Sequence, residues 1–388
     1  MFKRKKEEFN AVEKINALID AAISMRASDI HIEPFPEFIR VRFRIDGVLM
    51  KYSVLPAEKK EEIIAIIKVM ANLDSTQKRA AQDGRIAYPR PGNPIEIRAS
   101  VLPFRHGEKV VLRVQNTDKV ELGIDNLELN DACLPDIKKI IGSKQGLVLV
   151  TGSTGSGKTT TIFSLLDYID SEELNFVTLE DPIEYEIPGF IQVQISNELQ
   201  MDFAEILRAV LRQDPDVLVI GEIRDRKTAQ VALRAALTGH LVVASIHTND
   251  SIDTIIRLRE MGIQSYLIAA ALKLITYQRL VRVLCPHCRQ VAPIEPNQAQ
   301  ILGIPEKTEV ATCSGCKHCS NTGFFGRKPI FETLIVDDEV NEILGTSTSS
   351  YELKNRLRSV LRSTMHTEAR TKILNHTTSC AEALRSIL

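Results

Sequence analysis

The sequence predicts an α/β protein in which a parallel-sheet domain follows a smaller α+β domain. Three observations carry this. First, apolar runs of strand length at 147–150, 176–179, 217–220 and 241–246 alternate with helical patterns; that rhythm builds a parallel sheet covered on both faces. Second, Gly152-Ser153-Thr154-Gly155-Ser156-Gly157-Lys158-Thr159 sits between the first run and a helical pattern, matching the phosphate-binding loop G-x-x-x-x-G-K-[ST] in its proper setting. Third, the pattern before residue 120 is different, with short alternating runs punctuated by turn residues. A chain of 388 residues has room for two or three domains.

In chain order, Val12, Ile15, Leu18, Ile19, Ala22 and Ile23 form a helical stripe. From Ile39 the period becomes two, with Ile39, Val41, Phe43 and Ile45 inward and Arg40, Arg42 and Arg44 outward. Asp46-Gly47 then predicts a tight hairpin, because both turn positions need positive φ. A helix is expected over 57–73, a strand pair over 85–89 and 95–101 joined by a Pro/Gly turn, and a strand over 110–115. A polar linker over 117–125 leads into the β-α-β region, with helices at 203–211 and 226–237. The last 60 residues read as helices without a chemical motif.

Composition sets bounds on function. Apolar residues make up 44% and charged residues 26%, and 49 Lys plus Arg balance 50 Asp plus Glu. A dedicated nucleic-acid binder carries a basic excess, so no direct nucleic-acid partner is expected. No apolar run reaches the roughly 18 residues of a membrane span. The charged start, Met1 to Glu8, has no apolar segment behind it and does not read as a secretory signal, so a cytoplasmic location is expected. Five of seven cysteines fall between 285 and 319, a clustering that reads as metal rather than disulfide in such a compartment.

The phosphate loop assigns roles by residue type. Its glycines let backbone N–H groups wrap phosphates, and the helix that starts at its end adds the positive end of its dipole. Lys158 is expected to reach the β- and γ-phosphates of ATP, and the Thr159 hydroxyl to ligate Mg²⁺, with Thr160 beside it in the nucleotide-binding set. Other strand ends deliver polar groups to the same edge of a parallel sheet. Val217 to Ile220 is followed by Gly221-Glu222, so the usual acid directly after the strand is missing and Glu222 is the candidate to polarise an attacking water. Glu180, after 176–179, is placed to orient water or Mg²⁺, and His247, after 241–246, to sense the γ-phosphate. His240 reads as a packing residue. Among the cysteines, Cys285-x-x-Cys288 is one knuckle; Cys313-x-x-Cys316 and Cys316-x-x-Cys319 compete to be the other. Two C-x-x-C knuckles suit tetrahedral Zn²⁺ in a closed structural site.

From Ala27 to about residue 340 the chain resembles the type II secretion and type IV pilus assembly ATPases. Ala27-Ser28-Asp29-Ile30-His31-Ile32-Glu33-Pro34 is similar to the opening of that family's second N-terminal domain, and Asp83-Gly84-Arg85 and Gly107-Glu108-Lys109 fit it too. Residues 179–184 resemble its Asp box, Gly221 to Asp225 its atypical Walker B and 239–249 its His box. The resemblance implies a RecA-like ATPase core at 121–284 behind a small α+β, PAS-like domain at 1–120, a zinc-binding insertion at 285–328 and a helical subdomain at 329–388. It implies that Glu222 is the catalytic acid. It favours Cys285, Cys288, Cys316 and Cys319 as the zinc ligands, because Gly323-Phe324-Phe325-Gly326-Arg327 follows at the family's spacing, and it marks an assembly rather than a retraction motor. It also implies that Arg98 and Arg113 reach the nucleotide as arginine fingers, with Arg208, Arg212, Arg224 and Arg257 as further candidates. The expected assembly is a homohexamer working on an inner-membrane platform protein, held at the inner membrane face by a membrane-anchored recruiting protein. Many members carry a further N-terminal docking domain; only 26 residues precede Ala27, so another recruitment route or a short form is expected. The rival expectation is a RecA-like nucleic-acid motor or a DNA-uptake ATPase.

Overall fold

In a computed structural model, residues 10–90, 94–115, 122–195, 202–347 and 349–387 are described. The charged start, the centre of the Pro/Gly turn at 91–93 and most of the polar linker lie outside the described residues. Two compact units are distinguished: residues 1–119 with 315–325, and residues 120–314 with 326–388.

The first unit contains α1 (Ala11–Ser24), β1 (Ala27–Pro34), β2 (Phe38–Ile45), β3 (Val48–Pro56), α2 (Lys60–Met70), β4 (Gln82–Tyr88), β5 (Ile95–Phe104) and β6 (Gly107–Gln115). The strands form an antiparallel sheet in the order β3-β2-β1-β6-β5-β4. The Asn10 side chain caps α1 by accepting from the amides of Val12 and Glu13, which satisfies two of the donors that a helix start leaves unpaired. Asp46 and Gly47 have φ of 48° and 82°, the paired left-handed geometry that Asp-Gly predicts. Val41, Phe43 and Ile45 of β2 are buried with Ile15 and Ile19 of α1 and Ile63 and Ile67 of α2, so the expected inward face of the strand is the core face. The opposite face is charged. Register aligns Arg85, Arg98, Arg113, Asp29 and Arg44 side by side across five strands. Asp29 pairs with Arg113 at 3.1 Å and Arg44 at 3.6 Å. Burial pushes the Glu33 carboxyl up, but hydrogen bonds from Arg42, Arg40 and Lys109 outweigh it and hold its pKa at about 2.

One ion pair crosses to the core side. Lys68 of α2, fully buried, donates to Glu108 at 2.5 Å and to the Gln77 carbonyl at 2.6 Å. Lys68→Met is expected to destabilise the chain by about 3–5 kcal/mol, because it strands a buried carboxylate. Adding Glu108→Leu should recover most of that loss in denaturant unfolding. Equal instability of the single and double variants would contradict this account.

The second unit contains α3 (Leu134–Gly142), β7 (Gly146–Thr151), α4 (Lys158–Asp167), β8 (Phe176–Glu180), β9 (Ile191–Gln194), α5 (Phe203–Val210), β10 (Val217–Ile220), α6 (Arg226–Leu237), β11 (Leu241–Ile246), α7 (Ser251–Glu260), α8 (Ser265–Ala271) and β12 (Leu272–Leu284). It continues with β13 (Arg289–Pro293), α9 (Pro296–Leu302), β14 (Glu309–Cys313), β15 (Phe324–Ile335), α10 (Asp338–Thr346), α11 (Ser350–Arg358), α12 (Met365–Leu374) and α13 (Cys380–Ile387). The main sheet runs β15-β12-β7-β11-β10-β8-β9, and the strands from β12 to β9 are parallel. Alternate residues of β7 feed opposite faces: Leu147 and Leu149 join the core that holds α6 and α7, while Val148 and Val150 join the core that holds α3 and α4. Each of its strand positions is therefore buried, which is why the parallel strands read as continuous apolar runs.

α8 passes directly into β12, a 13-residue strand, with no turn residues between them. The chain from 329 opens not as helix but as the rest of β15, a strand beside β12; helices begin at Asp338. Among the described residues no helix is long and apolar enough to cross a membrane.

Candidate functional site

The loop after β7 takes its shape from three glycines. Gly152, Gly155 and Gly157 have φ of 143°, 76° and 88°, conformations that a side chain disfavours. A Cβ on Gly152 would meet the Gln278 carbonyl at 2.5 Å and the Ser156 hydroxyl at 2.7 Å. The loop ends at the N-terminus of α4, where Gly157 supplies no side-chain cap, so the first helix amides keep their capacity for an anion. Lys158 lies in this loop and donates to the carbonyls of Gly152 and Ser153 at 3.0 and 3.1 Å. Burial pushes its ammonium below the ordinary lysine pKa, and the Glu222 charge opposes that shift. Thr159, Glu180, Gly221 and Ser245 line a small cleft beside the loop, at the carboxyl ends of β8, β10 and β11.

Parallel register brings the other sequence-predicted groups to this edge. Glu180 ends β8 and is buried; its Oε1 accepts from Thr178 Oγ1 at 2.7 Å and Gln192 Nε2 at 3.0 Å. Glu222, two residues beyond β10, takes Arg224 on one carboxylate oxygen and stands 3.7 Å from His247 Nε2 on the other. Arg224 also reaches Asp181 at 3.6 Å, and His247 Nδ1 lies 3.2 Å from the Gly152 carbonyl. A continuous polar chain thus runs Asp181, Arg224, Glu222, His247, Gly152, joining three motifs to the phosphate loop. Gly221 occupies the place of the missing acid for a steric reason: a Cβ there would lie 2.9 Å from the Leu179 carbonyl and 3.3 Å from the Glu180 Cα.

Other candidates are placed differently. His240 precedes β11, at the opposite end of the strand from His247, and bonds the Ala235 carbonyl at 3.0 Å. Arg212, just past the end of α5, donates to the Arg208 carbonyl, and Arg257 pairs with Glu260. Arg98 and Arg113 stand side by side on β5 and β6 of the first unit, and Arg113 pairs with Asp29. Sequence reasoning missed Gln192, which holds Glu180 from β9, and Gln278, whose Nε2 donates to the Ser156 carbonyl at 2.5 Å. The signal for Gln278 was present: a lone amide inside the buried run of β12.

The ligand atoms of Cys285, Cys288, Cys316 and Cys319 lie within 4.8 Å of one another. The Cys316 and Cys319 sulfurs are 3.7 Å apart, against about 3.8 Å for two thiolates on one tetrahedral Zn²⁺ with bonds near 2.3 Å. Cys319 Sγ also accepts from the amides of Cys316 and Gly323 at 3.2 Å. The four cysteines therefore form a set able to hold a metal. Cys313, at the end of β14 opposite Arg289, is outside that set.

A parallel sheet with a Gly-Lys-Thr phosphate loop at the carboxyl edge of a central strand, and acids converging on it from neighbouring strands, defines a P-loop nucleotide-binding protein. The model of the Type II/IV secretion system protein family matches residues 5–385, and the chain belongs to that family. It is 42% identical over 374 residues to the type II secretion system protein E of Klebsiella pneumoniae, covering 96% of this chain and 75% of that protein. It is 40% identical over 382 residues to the type IV pilus assembly ATPase PilB of Thermus thermophilus, covering 97% of this chain and 43% of that one. Its fold is similar to the crystal structure of the pilus retraction motor PilT with bound ADP, with a TM-score of 0.58 and 27% identity over 94% of this chain and 91% of that one.

Proposed function

We propose that the protein is an ATPase motor that drives assembly of a type II secretion pseudopilus or a type IV pilus. The observation that carries this reading is the polar chain from Asp181 through Arg224, Glu222 and His247 to the Gly152 carbonyl. It ties acids at two strand ends to the loop that takes phosphates. In this reading, backbone amides from Gly152 to Thr160 and the Lys158 ammonium bind the ATP phosphates. Thr159 is a ligand for Mg²⁺, which when bound offsets phosphate charge. Glu222 accepts a proton from the attacking water, Glu180 orients that water or the Mg²⁺ shell, and His247 responds to the γ-phosphate. Arg98 and Arg113 are the arginine fingers of this reading.

The working form in this proposal is a homohexamer at the inner membrane face, acting on a membrane platform protein and recruited by a membrane-anchored partner. Steady-state ATP turnover by the purified chain, and loss of secretion or piliation in cells that lack it, are the expected results. Turnover stimulated by DNA and lost steeply with salt would favour a nucleic-acid motor instead.

Zn²⁺ on Cys285, Cys288, Cys316 and Cys319 has its own test. Elemental analysis should find one zinc per chain, retained in Cys313→Ser and lost in Cys319→Ser. The reverse pattern would make Cys313 the fourth ligand. Stripping the metal with a chelator should lower the unfolding temperature, because structural zinc contributes folding energy directly.

The arginine reading is tested kinetically. Arg98→Ala and Arg113→Ala should bind ATP and lose most of their turnover, since an arginine finger contributes about 10³–10⁵ in rate. Arg113→Ala also leaves buried Asp29 with Arg44 as its neighbour, so the unfolding transition must be recorded beside the rate. Full activity in both variants would confine catalysis to the second unit.

A further inference from the structure

β12 lies parallel to β7 with Tyr277 opposite Thr151, so Gln278 is the first residue beyond the paired register, beneath the phosphate loop. Its side chain is fully buried in a strand whose buried neighbours include Leu274, Ile275 and Val281. Burying an amide in such a place is costly unless its polar atoms are matched. Only half of that demand is met: Nε2 donates to the Ser156 carbonyl at 2.5 Å, while Oε1 is buried without a partner. Both ends of the loop close down on this residue. A Cβ on Gly152 would lie 2.5 Å from the Gln278 carbonyl, and one on Gly157 would lie 3.3 Å from Gln278 Nε2. The glycines therefore serve close approach of β12 as well as backbone conformation.

We propose that Gln278 is a positioning residue for nucleotide binding, holding the Ser156 carbonyl so that the loop amides stay turned toward the phosphates; this rests on the ATPase reading above. A residue that leaves one polar atom unmatched in a core adds little to fold stability. Its bond to the loop is what accounts for an amide at that position. The chain then has a floor under the phosphate loop supplied 122 residues later in sequence. Loss of that floor should loosen the loop while leaving Glu222 and its partners in place.

The test uses the full chain. Gln278→Met keeps the length and volume of the side chain and cannot donate; Gln278→Leu is the second variant in case the first folds poorly. Direct binding of a fluorescent ATP analogue should weaken about tenfold, in keeping with loss of one buried hydrogen bond. KM for ATP should rise in parallel, with kcat within about threefold of the parent. The unfolding temperature without nucleotide should hold or rise, while the stabilisation that nucleotide gives should shrink. Parent-like nucleotide affinity in a folded variant overturns the proposal, as does a fall in nucleotide-free stability that accounts for the whole loss. If the parent chain binds the analogue but turns over no ATP, the ATPase reading fails and the affinity measurement still decides the role of Gln278.

Discussion

Lys158→Ala is expected to reduce ATP turnover by at least 10²–10³-fold, the scale of removing one preorganised charge-stabilising donor from a reacting centre. The ammonium is positioned for this by the loop itself, which holds it on the carbonyls of Gly152 and Ser153, and by Glu222, whose charge favours its protonated form. The alanine variant keeps the loop glycines and the free amides of α4, so nucleotide affinity should fall less than turnover does. Near-parental turnover would remove the central claim about this site. Stability offers a control. Lys158 is desolvated and its pKa is lowered by burial, so its removal relieves a penalty, and the unfolding temperature without nucleotide should not fall.

Glu222→Gln should bind ATP with near-parental affinity and hydrolyse it about 10²–10⁴-fold more slowly, the range ascribed to general acid–base catalysis. The substitution keeps an acceptor for Arg224 and preserves the side-chain shape, so the Asp181–Arg224 side of the polar chain should survive. What it loses is the ability to take a proton and the negative charge that stands beside His247 Nε2. Normal hydrolysis in this variant would transfer the role to Glu180, whose Oε1 is already committed to Thr178 and Gln192. The two substitutions separate cleanly: one removes a positive charge from the phosphates, the other a base from the water.

Much of this site was legible because its parts are local. A phosphate loop needs positive-φ glycines at fixed spacing followed by a helix start, so Gly152 to Thr159 stated its conformation in one short stretch. Parallel strands buried on both faces show as continuous apolar runs, and Glu180, Glu222 and His247 each followed such a run. The Asp46-Gly47 hairpin and the alternation of β2 were equally local. The harder segments lacked local marks. β12 follows α8 without a turn residue, and β13 and β14 are short strands in a two-stranded sheet within a region read for its cysteines. β15 begins at Phe324, shortly after the second knuckle, and passes without a break into what read as a helical tail.

The sequence by itself determined the family, the phosphate loop and the set of cysteines, because each depends on residue type at short spacing. Tertiary structure alone decided three other things. It showed that Gly221 stands where an acid was expected because the backbone of β8 approaches too closely for a side chain. It showed that Asp29 is the counter-charge for Arg113, a pairing across strands 84 residues apart. It placed Gln278 beneath a loop 122 residues earlier. These are contacts between segments distant in sequence, and no local pattern encodes them because they arise only when the strands take their order and register in the sheet.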